Sequence, residues 1–410
     1  MRIFITHPIN NFYGGILSTI KALLLEADWI PRPEYKPTPE EEKAHRTFNS
    51  AKVWKNPRLK LIDIPKPKPG PKEVLVRVKA SGICGSDVHM AQPDKEGYML
   101  YPGLTKLPVI LGHEFSGVVE EIGPGVRQFK PGDPVTAEEM WWCGECLYCR
   151  GGMVNQCVNL EEMGFTVNGT HAEYVVIPEK YLWSIESILE ATKGNEEKMF
   201  EMGATVEPTS VAYNAIFVRA GGFAPGGYVV IYGAGPIGLA ATALAKAAGA
   251  SKVIVFDLVE ERLAIAREMG ADYVFNVKEL EKKGIKPSEK VLEITNGYGA
   301  DLQVEAAGAP DVLLPEMEKS MAVGGKIAWI GRADKIAPIY LEKFQVRAAQ
   351  IYGAQGHSGN FIFFNVIRLM AAGKIDTTKM ITTRYKLENY EEAFKELMHY
   401  KRHAKIQFKP

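Results

Sequence analysis

Two hydrophobic rhythms divide this chain. From about residue 59 to about residue 205, short apolar runs such as EVLVRVKASG, FSGVVEEIGPG and AEYVVIP are broken by glycine and proline. Short apolar runs bounded by turn formers predict strands, so this stretch reads as a β-rich domain. From Gly227 the texture changes. VVIY is followed by the alanine-rich PIGLAATALAKAAGA, and KVIVFD by EERLAIAREMG, with Gly270 placed to stop the second helix. DYVFN, DLQVEAAG and KIAWIG continue the series. Alternation of strand and helix predicts a parallel sheet with helices on both faces.

The flanks are less regular. KALLLEADW, starting at Lys21, reads as a strand, and the proline- and charge-rich stretch from Pro31 to about Lys55 as a surface excursion. After Tyr352 the pattern becomes irregular, and the tail is expected to return to the first domain. The expected division is an N-terminal extension over 1–20, a β-rich domain over 21–208, a dinucleotide-type domain over 209–352 and a returning segment over 353–410.

Composition narrows the classes. The chain has 410 residues, 46% of them hydrophobic, enough for at least two packed cores. Lysine plus arginine equals aspartate plus glutamate, 49 each, which argues against a nucleic-acid partner. No apolar run is long enough to span a membrane. His7, Pro8 and two asparagines interrupt the mildly apolar start, so no signal peptide is expected and the cytoplasm is the default location. Four of the five cysteines fall within residues 143–157, a poor disulfide framework and a good metal-ligand pattern.

VVIYGAGPIG sets Gly233, Gly235 and Gly238 in G-x-G-x-x-G spacing between a predicted strand and a predicted helix, with Pro236 opening the helix. The first glycine permits a tight turn, the second lets backbone approach a pyrophosphate, and the third lets helix and strand pack closely. Asp257 ends the next predicted strand, 19 residues after Gly238. An acid there accepts from ribose hydroxyls and repels a 2′-phosphate, so NAD is expected over NADP. The bland alternative is a glycine-rich turn beside a solvated aspartate.

Cys143, Cys146, Cys149 and Cys157 follow C-x2-C-x2-C-x7-C. Four thiolates close a tetrahedral shell around zinc and leave no open position, which makes a structural site. Free thiols and an iron–sulfur cluster are the alternatives. A zinc ribbon for nucleic acid is disfavoured, because Trp141 to Leu160 holds one arginine and no lysine.

The fifth cysteine, Cys84, sits in GICGSDVH; His113 and Glu114 sit in LGHEFSGVV; Glu207 sits in VEPTSVAYNAI. Taken singly, each reads equally well as an ordinary core or structural residue. Taken with the cysteine lobe and GAGPIG, their order resembles the zinc-containing medium-chain dehydrogenases, the alcohol, polyol and threonine dehydrogenase family, over roughly residues 57–410. That resemblance implies a GroES-like catalytic domain with a Rossmann NAD domain, two zincs per chain (one structural, one catalytic), and a homodimer or homotetramer. It implies Cys84, His113, Glu114 and Glu207 around the catalytic zinc, with Glu114 and Glu207 binding directly or through water. Many alcohol dehydrogenases carry cysteine where Glu207 stands, whereas the polyol branch carries glutamate followed by proline. Three protein ligands would leave one zinc position for water or substrate. Ser86 would take the proton from the substrate hydroxyl and His89 would pass it to solvent. Ile237, Arg262 and Gly331 match family cofactor contacts.

HMAQPDKEGYMLYPGLT, AEEMWWCG and QVRAAQIYGAQGHSG are similar to a branch acting on a keto-inositol, scyllo-inosose. The expected reaction moves hydride from a secondary hydroxyl of a polyol or cyclitol to NAD. Glu138, Glu139, Gln355, His357 and Ser358 are the candidate hydroxyl binders, with plain loop polarity as the alternative. The rival functions are a threonine, sorbitol or generic secondary-alcohol dehydrogenase, and a non-catalytic family member that binds zinc and nucleotide.

Overall fold

A computed structural model describes residues 18–410 except Asp334 and Lys401. The second rhythm forms a six-stranded parallel sheet ordered Tyr273–Asn276, Lys252–Asp257, Tyr228–Tyr232, Ala300–Glu305, Met321–Trp329, Gln350–Gly353. The first strand of this series lies at the centre and successive strands add outward on each side. That makes the ends of Tyr228–Tyr232 and Ala300–Glu305 the switch point where such sheets bind ligands. Valines, isoleucines and leucines on the central strands Lys252–Asp257, Tyr228–Tyr232 and Ala300–Glu305 are fully buried because helices cover both faces.

The first rhythm forms a seven-stranded sheet built on the long strand Glu73–Ile83. Glu73–Ile83 pairs antiparallel with Glu114–Ile122, Tyr174–Pro178 and Lys405–Phe408. The chain end therefore does return to the first domain. A three-stranded sheet joins Trp54–Pro65, Thr19–Trp29 and Val109–Ile110.

Three expectations change. Thr19 and Ile20 are not part of an extension: they pair with Pro65 and Ile64, and Ile20 is buried. Residues 1–17 of the expected extension lie outside the described residues. The stretch Pro31–Lys55 is not wholly a surface excursion either. It carries a capped helix, Pro39–Ala44, and buries Thr47, Ser50, Val53 and Trp54, whose indole donates to Thr105 Oγ1 at 2.8 Å. Near residue 208 the helix Val206–Tyr213 runs straight through the expected domain boundary. Among the described residues no helix is long and apolar enough to cross a membrane.

Candidate active site

The cofactor loop has the three glycine roles in measurable form. Gly233 adopts φ +102°, and a Cβ there would lie 2.8 Å from the Ala306 carbonyl oxygen. Gly238 opens onto the preceding turn so closely that a Cβ would fall 1.8 Å from the Gly233 oxygen. Gly235 is different, because a Cβ there would meet nothing within 4 Å. The open space sits at the N-terminus of Pro236–Ala247, where free N–H groups favour an anion. Ile237 lies half-buried in the first turn of that helix. Asp257, at the end of Lys252–Asp257, accepts from Ala234 N at 2.6 Å and Val259 N at 2.8 Å, so the acid lies directly beside the glycine turn. Gly331 has no room for a side chain, since a Cβ would lie 2.2 Å from Glu305 Oε2. Arg262 commits Nε and Nη2 to the carbonyl of His403, at 3.0 and 2.7 Å. It therefore ties the dinucleotide domain to the returning segment.

The cysteine lobe fits a tetrahedral zinc. The four sulfurs lie within 4.8 Å of one another. Cys143–Cys149 and Cys146–Cys157 are 4.0 Å apart and Cys143–Cys157 3.5 Å. A zinc–sulfur bond of about 2.3 Å gives a tetrahedral edge of about 3.8 Å. Backbone N–H groups of Glu145 and Cys146 point at Cys143 Sγ, each at 3.4 Å, and bring its thiol down to about 6.

The reactive cluster begins with a short helix. Cys84 is the N-cap of Gly85–Ala91, and Asp87, in the first turn, accepts the Cys84 N–H at 2.8 Å. The same buried Asp87 faces His113 Nδ1 and His171 Nε2, each at 3.6 Å. Burial works against its charge, but the facing imidazoles and the Cys84 N–H outweigh it and bring Asp87 to about 2. With Nδ1 turned to an anion, His113 presents Nε2 to the cluster, the usual arrangement behind a metal-binding histidine. Burial pushes the His113 imidazole below its ordinary value, which favours the neutral ligand form.

Cys84, His113 and Glu114 bring one donor atom each within 4.8 Å of the others. Glu114 is also paired with Lys405, which lies 291 residues away in sequence and is 1% exposed. Lys405 Nζ donates to Glu114 Oε1 at 2.7 Å and to the Ile83 carbonyl at 2.9 Å. Burial and the Glu114 carboxylate push the Cys84 thiol up. A buried thiol and carboxylates facing a single lysine form a donor set that a divalent cation would balance.

Glu207 does not join that triad. It groups with Glu139 and His357, whose Nε2 lies 2.9 Å from Glu139 Oε2 and 3.2 Å from Glu207 Oε1. The two groups adjoin, and Glu207 lies close enough to act on Cys84 and Lys405. Burial pushes both Glu139 and Glu207 up to about 8. Ser86 Oγ is buried with no hydrogen-bond partner among the described residues, and His89 is exposed on the same helix.

Three candidate hydroxyl binders have other partners in the structure. Glu138 is occupied: its two oxygens accept from the indoles of Trp142 and Trp183, at 3.2 and 3.1 Å. Ser358 is a loop anchor, its hydroxyl donating to the Met140 carbonyl and its N–H to Asn155 Oδ1. Gln355 is exposed and contributes its carbonyl to Asn214 rather than its side chain to the cluster. Glu139 and His357 stay in play. Sequence reading missed Asp87, His171 and Lys405, whose relevance arises from packing rather than spacing.

Comparison with known proteins bears on the whole chain. Residues 70–187 match the alcohol dehydrogenase GroES-like domain and residues 236–372 the zinc-binding dehydrogenase domain. The chain is 48% identical to the scyllo-inosose 3-dehydrogenase of Thermotoga maritima, over 92% of this chain and 96% of that protein. It is 35% identical to the L-threonine 3-dehydrogenase of Pyrococcus horikoshii, over 85% of this chain and 94% of that one. A solved Thermotoga maritima structure assigned to the alcohol dehydrogenases superposes with a TM-score of 0.90 at 46% identity, covering 95% of this chain and 100% of that one.

Proposed function

Since this chain belongs to the zinc-binding, GroES-like alcohol dehydrogenase family of oxidoreductases, we propose that it oxidises a secondary hydroxyl of a cyclitol ketone, scyllo-inosose, with NAD. The observation that carries this reading is the buried Glu139–His357–Glu207 cluster beside Cys84, His113 and Glu114. It offers several hydrogen-bonding groups next to the metal ligands, which a polyhydroxylated ring can use and a simple alcohol cannot. Cys84 and His113, with Glu114 or a water held by Glu207, would hold a zinc ion. Such an ion supplies Lewis acidity, and bound NAD supplies the hydride acceptor. A second zinc would sit in the four-cysteine lobe.

The protein's own groups do the rest. Asp87 fixes the imidazole of His113. Ser86, with its free buried hydroxyl, takes the substrate proton, and exposed His89 hands it to solvent. Glu139 and His357 hold ring hydroxyls. Gly233, Gly235, Pro236, Ile237 and Gly238 cradle the pyrophosphate, Asp257 holds the ribose, and the backbone at Gly331 passes the nicotinamide. Arg262 reaches the cofactor only with the donor that His403 leaves free.

NADH formation on scyllo-inosose, myo-inositol, sorbitol and L-threonine tests the reading. Scyllo-inosose should give the highest kcat/KM, and no turnover with any cyclitol would refute it. Threonine dehydrogenation is the second reading, favoured by the Pyrococcus likeness. We further propose a cytoplasmic homo-oligomer. Five free cysteines suit a reducing compartment, and Gln350–Gly353 is an edge strand with Ile351 exposed.

A further inference from the structure

Glu162 lies outside every motif in the sequence. Its backbone belongs to the short strand Glu161–Glu162, which pairs with Met140–Trp141 so that Glu162 faces Met140. That register sets it beside Glu139, whose carbonyl accepts the Met163 N–H at 3.0 Å. The Glu162 carbonyl then closes a tight turn by accepting from Phe165 and Thr166. Phe165, in this turn, turns its ring towards His113 and Tyr101, at 4.9 and 5.3 Å between ring centres. From the dinucleotide domain Arg332 reaches across to Tyr101, with Nη1 at 3.4 Å from the phenol oxygen. Glu162 thus stands at the meeting of the two domains, one aromatic ring back from His113.

The residue is 6% exposed, and no hydrogen bond from the described residues reaches its carboxyl, which keeps a little access to solvent. Both its oxygens are also absent from any ion pair there, although Arg46 and Arg332 lie close enough to act on it. A carboxyl nearly withdrawn from water and without a protein partner is open to a ligand that completes its hydrogen bonds. Burial, and after it the neighbouring Glu139 carboxyl, hold Glu162 well above the usual carboxylate range. In the protonated form a carboxyl both donates and accepts, as a ring hydroxyl does.

We propose that Glu162 is a specificity-determining residue whose carboxyl hydrogen-bonds substrate hydroxyls set back from the carbon that gives up hydride. It rests on the reading of a polyhydroxylated substrate. Glu162 discriminates by hydroxyl content. An analogue without those hydroxyls leaves the carboxyl buried and unpaired, whereas a cyclitol satisfies it.

The test compares wild type, Glu162→Gln and Glu162→Leu on scyllo-inosose, cyclohexanol and L-threonine, with thermal unfolding and NADH binding as checks on folding. Glu162→Leu should lower the ratio of kcat/KM for inosose to that for cyclohexanol at least about tenfold, mainly through KM. Glu162→Gln, which keeps a donor and an acceptor, should hold the ratio within about threefold. Inosose turnover by wild type with an unchanged ratio in Glu162→Leu would overturn the role of Glu162 and leave the substrate reading standing. Wild type preferring threonine, with Gln as damaging as Leu, would overturn both, since the carboxylate charge would then be reading an ammonium group.

Discussion

Replacing Gly235 and Gly238 by alanine, separately, distinguishes a glycine kept for a ligand from one kept for the fold. Gly235 has φ −72° and ψ 179°, an ordinary extended conformation, and a Cβ there meets nothing within 4 Å. Alanine is therefore compatible with the native backbone and should stabilise the free protein by about 0.4–1 kcal/mol through the unfolded state. The methyl group would occupy the space in which a pyrophosphate approaches the helix N-terminus. NADH affinity should fall about 10–100-fold, or about 1.4–2.8 kcal/mol. At Gly238 the added Cβ would lie 1.8 Å from the Gly233 oxygen. Favourable contacts begin near about 3.5 Å, so the helix would have to withdraw by more than about 1.5 Å, at the upper end of the roughly 1–3 kcal/mol that overpacking costs. Thermal unfolding without cofactor, followed by NADH fluorescence titration, measures both quantities. A Gly235→Ala protein of unchanged NADH affinity would refute the assignment of this loop as the pyrophosphate cradle. One destabilised as strongly as Gly238→Ala would refute the division of roles.

Other expectations follow from the same geometry. Lys405→Met leaves the buried Glu114 carboxylate without its cation and should cost about 3–5 kcal/mol, while Lys405→Met/Glu114→Gln should recover much of that, read by denaturant unfolding. Buried Glu201 accepts from Arg384 Nη2 at 2.7 Å and from Lys409 Nζ at 2.8 Å; burial opposes its charge, but these donors outweigh it and lower its pKa below 4.5. A lowered folded pKa means stability fully present above 4.5 and lost as pH falls through the folded value, so Glu201→Gln should flatten the acid limb of a stability–pH curve. Asp257→Gly should erode the preference for NAD over NADP, measured as the ratio of kcat/KM values; an unchanged ratio would remove Asp257 from the ribose site.

What was legible in the sequence was whatever is local. The glycine turn, its flanking strand and helix, and Asp257 lie within a single strand–helix–strand unit, so spacing alone places the acid beside the loop. The cysteine lobe likewise closes within fifteen residues. The two rhythms separate the sheets because a fully buried parallel strand and a half-buried antiparallel one carry different patterns. What spacing could not show was tertiary. Lys405 reaches Glu114 only because the last strand pairs with Glu73–Ile83. Glu207 and His357 meet through a loop docked on Asn155 and Met140. The two indole partners of Glu138 come from positions 142 and 183, the second on the strand Leu182–Ser184. An adjacent tryptophan was the available signal, since a buried indole N–H needs an acceptor.

The central claim is that one zinc site is reactive and the other closed. Metal analysis of purified Cys84→Ala, alongside NADH formation on scyllo-inosose, tests it most directly. The account predicts a fall from about two zincs per chain to about one, loss of turnover, and an intact thermal transition. Retained activity, or loss of both zincs together, would contradict it.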